Sequence, residues 1–65
     1  MVYTLLNEIY AKIETLQKVR VDADNYCTYY IDNASGEKWV KEHPESEYHG
    51  GGVPQLRLLE KFPWE

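Results

Sequence analysis

A single cysteine, Cys27, is the only thiol in the chain, so no internal disulfide can staple it. A lone thiol fits a reducing compartment better than a secreted scaffold. Basic residues are scarce: seven Lys and Arg stand against eleven Asp and Glu, for a net charge of −4. That balance argues against a nucleic-acid binder, which needs a basic face. No apolar run approaches the length of a membrane span. The opening residues lack a basic stretch followed by an apolar core, so no secretory signal is read, and the expectation is a soluble, cytoplasmic protein. Glycine is nearly confined to one place: three of the four are consecutive, at 50–52.

What is present is aromatic. Six Tyr, two Trp and one Phe stand in 65 residues. Each can bury a large area, which matters in a chain too short to build a thick core. The length predicts a single domain over residues 1–65.

Residues 4–19 read as an amphipathic helix. Leu6, Ile9, Ile13 and Leu16 form its apolar stripe, widened by Leu5 and Tyr10. Thr4 is the candidate cap, and Glu8 with Lys12 the candidate ion pair one turn apart. Val19 and Val21 then alternate with Arg20 and Asp22, so a strand or extended connector can begin within 19–23. Residues 26–31 are rich in aromatic and β-branched types and read as a strand. Tyr26, Thr28 and Tyr30 face one side of it, and Cys27, Tyr29 and Ile31 the other. The run Asp32-Asn33-Ala34-Ser35-Gly36 is a hairpin turn, followed by strands at 37–41 and 55–60. The predicted fold is α+β in two layers: one helix on a three-stranded antiparallel sheet. Phe62 and Trp64 are expected to pack against it. The sheet face away from the helix is expected to be open, with tyrosines exposed as a contact patch.

Between the last two strands lies the stretch with the strongest chemical flavour. His49-Gly50-Gly51-Gly52 is like an oxyanion-hole segment, but no Gly-x-Ser-x-Gly accompanies it, and the two serines, Ser35 and Ser46, have no base beside them. His43, Glu45, Glu47 and His49 contain enough ligands for a zinc ion, but their spacing matches no ligand frame, and a solvated acidic loop is the preferred reading. The glycine triplet is followed by Val53-Pro54 and a strand rather than by a helix, which removes the phosphate-loop reading. Trp39 and Trp64 read first as core and second as anchors for a partner. Cys27, between aromatic neighbours, reads as an inert thiol. The residues therefore predict no enzyme, no metal and no cofactor.

Trp39, Pro44, Ser46, Glu47, His49, Gly50, Gly51, Gly52, Pro54 and Leu56 resemble the signature of the immunity protein 27 family. These are small bacterial proteins associated with polymorphic toxin systems. Val40, His43 and Val53 depart from the signature, which has Glu, Tyr and Pro at those places. The resemblance implies a non-enzymatic binder that occludes a partner toxin, and an acidic inhibitor suits a basic toxin domain. It implies a partner-binding or structural loop made of Trp39, Glu45, Ser46, Glu47, His49, Gly50, Gly51, Gly52 and Pro54; the acidic balance and the lack of a long apolar run predict that no nucleic acid and no membrane is involved. The alternative is a small α+β domain that forms a homodimer through an exposed aromatic sheet face, its glycine-rich loop purely structural.

Overall fold

The computed structural model describes residues 1–43 and 54–65. The elements run β1 (Val2–Tyr3), α1 (Leu6–Ile13), β2 (Gln17–Asp22), β3 (Cys27–Ile31), β4 (Lys38–Glu42) and β5 (Gln55–Leu59). The fold is α+β; the described residues form one short helix and a five-stranded sheet in the order β1-β5-β4-β3-β2. Every neighbouring pair is antiparallel. The three strands expected from the sequence are its centre, and β1 and β2 extend it on either side.

The helix is half the expected length. It stops at Ile13 because the next backbone groups form tighter i−3 bonds: Thr15 N–H to Lys12 O at 3.0 Å and Leu16 N–H to Ile13 O at 2.9 Å. The Thr15 hydroxyl also donates to the Lys12 carbonyl at 2.7 Å, competing for a helical acceptor. Four residues later Val19 and Val21 favour extended backbone, and the chain has become β2. Thr4 is not the cap. Leu5 holds that position with extended dihedrals, and no side chain bonds the first turn. Lys12 does not reach for Glu8 either; its ammonium sits 5.1 Å from the centre of the Trp39 ring.

Pleating separates the side chains onto two faces. The helix covers the first, where Ile9, Tyr30, Trp39 and Leu56 are buried together, with Tyr3, Ile13, Leu16 and Leu58 packed around them. Leu6 does not join this cluster and is 51% exposed. The second face is not open to water. Residues 60–65 fold back beneath it and bury Phe62 against Tyr29 and Val40, with Cys27, Ile31 and Leu59 at the margin. Tyr29 and Tyr30 are therefore both buried, on opposite faces, rather than forming an exposed patch. Phe62 stacks on Trp64, and both meet the edge of Tyr29.

The β3–β4 turn follows its residue types. Asp32 accepts main-chain N–H bonds from Ala34 and Ser35, and Gly36 donates to the Asp32 carbonyl at 2.7 Å. Gly36 takes a φ of 79°, in the region glycine enters without penalty. The Ala34 N–H is the main reason the Asp32 carboxyl is held below its usual range. The β2–β3 turn is less comfortable. Tyr26 is left-handed there with a φ of 55°, and Asp22 supports it by accepting from both the main-chain and side-chain nitrogens of Asn25. Strand β2 carries one irregularity. Lys18 pairs with Tyr30 and Arg20 with Tyr29, so Val19 is an extra residue in the ladder.

Candidate partner-binding surface

The connection between β4 and β5 is the segment to which the sequence points. Glu45, Ser46, Glu47, His49, Gly50, Gly51 and Gly52 lie outside the described residues. Its two roots are described. β4 ends at Glu42 and β5 begins at Gln55, and these two residues pair across the ladder. Pro54, half-buried, leads into β5, where its missing N–H removes no ladder bond.

Three polar ties fix the roots. The Glu42 carboxylate accepts from Gln55 Nε2 at 2.7 Å and from Arg57 Nε at 2.8 Å. The Arg57 guanidinium is the main reason the Glu42 carboxyl is held below its usual range, with the Gln55 amide adding to it. On the other strand end, His43 Nδ1–H donates to the Tyr26 carbonyl at 3.2 Å. A carbonyl can only accept, so this bond places a proton on Nδ1. It joins the root of the β4–β5 connection to the β2–β3 turn, and both therefore emerge at one end of the sheet.

Cys27 lies beside these roots. Its thiol donates to the Asn25 carbonyl, and burial, then the charges of Glu42 and Asp22, push its pKa up. A thiol kept protonated is a poor nucleophile, so it supplies no reactive group to the surface. Among the described residues, no group of three His, Cys, Asp or Glu side chains stands close enough to hold a metal ion.

Trp39 is placed elsewhere. It is 1% exposed on the helix face, paired with Leu58, whereas Glu42 pairs with Gln55. Three residues of strand separate them, roughly 10 Å, and the odd spacing puts their side chains on opposite faces. Tyr3 packs 5.7 Å from the Trp39 ring, centre to centre. Trp39 thus belongs to the core, and no partner reaches it without unfolding the helix face.

Sequence reasoning missed a cleft of about 580 Å³ at the same end of the sheet. Its walls are the β2–β3 turn on one side and Tyr29, Pro63 and Trp64 on the other. Arg20 lies across the Trp64 ring at 4.2 Å. The missed residues Glu42, Gln55 and Arg57 carry a signal only once the β4–β5 register is known, because 44–53 conceals which positions face each other.

The sequence profile described as immunity protein 27 matches residues 6–60. The chain belongs to that family. The match runs well beyond the segment at 39–56 that carries the visible signature, and takes in α1 and strands β2 to β5. No curated protein and no solved structure matches the chain. No helix among the described residues is long and apolar enough to cross a membrane.

Proposed function

We propose that this chain is a non-enzymatic bacterial immunity protein of the cytoplasm that binds a partner toxin and occludes it. The observation that carries this reading is the family match over residues 6–60. The geometry supports it in two ways. The β4–β5 connection, with Glu45, Ser46, Glu47 and His49, springs from roots held by an ion pair and two further hydrogen bonds. A presenting segment on fixed roots loses less entropy on binding than one on loose roots. The net charge of −4 also favours encounter with a basic partner surface. In this reading Glu45, Glu47 and His49 meet the toxin, Gly50, Gly51 and Gly52 let the main chain turn close to it, and Pro54 sets the return into β5. The aromatic face that a homodimer was expected to use is already occupied by Phe62 and Trp64, so the partner is taken to be a different protein.

The test is co-expression with a toxin encoded beside this chain, scored by cell survival and by co-purification. Survival with a stoichiometric complex is expected. Failure of both would end the proposal. Replacing Glu45 and Glu47 by Lys should slow association with a basic toxin by about tenfold at low salt while leaving the melting temperature unchanged.

A further inference from the structure

Residues 61–65 differ from the rest of the second face in how they are held. Among the described residues, no main-chain hydrogen bond joins them to a strand. Their own main-chain bond, Glu65 N–H to the Phe62 carbonyl at 3.1 Å, is internal. What fastens them to the sheet is side-chain contact: Phe62 against Tyr29 and Val40, Trp64 against Tyr29 and Arg20, and Glu65 against Lys38.

Glu65 is the clamp. One oxygen of its carboxylate accepts from Lys38 Nζ at 2.7 Å and the other at 2.8 Å, and the first also accepts from the Phe62 N–H at 2.7 Å. The carboxylate therefore both closes the turn 62–65 on itself and pins it to β4. Lys38 lies in addition 5.5 Å from the centre of the Phe62 ring, so the same ammonium holds the turn at two points. Both members of the ion pair are partly open to solvent, and ion pairs of this kind are easily broken.

The core on the other face needs none of these residues. Among the described residues, the hydrophobic side chains packed against Ile9, Tyr30, Trp39 and Leu56 are Tyr3, Ile13, Leu16 and Leu58, none of them from 61–65. The family match also ends at residue 60, one position before this segment. We infer that residues 61–65 are a strap that opens as a unit when the Glu65–Lys38 clamp is lost, while the five-stranded sheet and its helix stay folded.

Opening has two structural results. It bares Tyr29, Val40, Ile31 and Leu59, a contiguous apolar face of the kind soluble proteins keep covered. It also removes Pro63 and Trp64, which form one wall of the cleft beside the β2–β3 turn. The cleft is thus a property of the closed form alone. Strap opening does not depend on an immunity role and needs no partner.

The experiment is amide hydrogen exchange on the full chain by nuclear magnetic resonance, comparing the wild type with Glu65→Gln. The Phe62 amide in the variant should exchange about fivefold faster or more, and the Trp64 indole signal should move toward its unfolded position, while amides of β3, β4 and β5 and the Trp39 indole keep their wild-type behaviour. Unchanged exchange at Phe62 would overturn the clamp. Faster exchange throughout the sheet would overturn the strap as a separate unit. If Glu65→Gln proves too unstable to read, Lys38→Gln is judged by the Trp64 indole, expected to move toward its unfolded position, and by unchanged β3, β4 and β5 amides, since it keeps the Glu65 bond to the Phe62 N–H; an unmoved Trp64 indole would overturn the clamp.

Discussion

The two faces of this sheet are covered by different means. On the first, a two-turn helix lowers Ile9 onto Trp39, Tyr30 and Leu56, and Lys12 closes over the indole. On the second, a few residues of irregular chain supply one buried ring, Phe62, and rely on stacked aromatics and a single carboxylate to keep it in place. The first cover is tied into the chain at both ends, through β1 and β2. The second follows β5 and, among the described residues, makes no main-chain hydrogen bond to any strand. Among the described residues, the sheet thus reaches burial on both sides with one helix, but the two covers are not equally firm.

Truncation at each centre measures the difference. Trp39→Ala should have the largest effect, about 3–5 kcal/mol, enough to leave a chain this small largely unfolded at room temperature. Circular dichroism with urea titration reads it. Phe62→Ala should cost about 1–3 kcal/mol, below the usual figure for a buried ring because the released segment can detach instead of leaving a void. Equal losses at the two positions would mean that the faces form one cooperative block and would break the comparison.

Next in size is the β2–β3 turn, where the sign reverses. Tyr26 is 62% exposed and left-handed, so its side chain gains little from burial while its backbone is strained. Tyr26→Gly should raise stability by about 1 kcal/mol, seen as a higher melting temperature. The His43 bond survives this change because it uses the Tyr26 carbonyl. A lower melting temperature would show that the tyrosine ring is needed there.

The smallest effect lies in acid. The folded-state pKa of Glu42 is depressed below its ordinary value of 4.5, so its contribution is complete above that value and is lost as pH falls below it toward the folded value. With Arg57 about half exposed, the loss should be about 0.5–1 kcal/mol. Urea midpoints measured at neutral pH and in acid should therefore converge for wild type and Glu42→Gln as pH falls. A constant gap across that range would remove the ion pair from the account.

The strands at the centre of the sheet were legible because aromatic and β-branched residues there are bounded by strong turn signals, Asp24-Asn25 before β3 and Asp32 to Gly36 after it. The apolar spacing carries the expected helix past Ile13 because Leu16 continues it; the spacing does not register that Thr15 takes the Lys12 carbonyl. β2 showed itself only as alternation of Val19 and Val21 with charge, and β1, at two residues, has no pattern to detect. The packing of Phe62 and Trp64 followed from their apolar surface, but which face they would cover did not, since that depends on Lys38 and Glu65 meeting 27 positions apart. At the candidate surface, the sequence exposed the residues of the β4–β5 connection and concealed its roots. Glu42 and Arg57 are fifteen positions apart, and only the register brings them together.

The extra residue in β2 has a consequence for behaviour at high concentration. Among the described residues, β2 is the outermost strand, paired on one side only, and Val19 and Val21 are exposed along it. Such a strand is a template on which another molecule can add. Here Val19 bends the ladder between two cations, Lys18 and Arg20, and a neighbour aligning against it meets both a broken hydrogen-bond rhythm and like charge. Removing Val19 would straighten the strand, and the variant that resulted should be the one that precipitates.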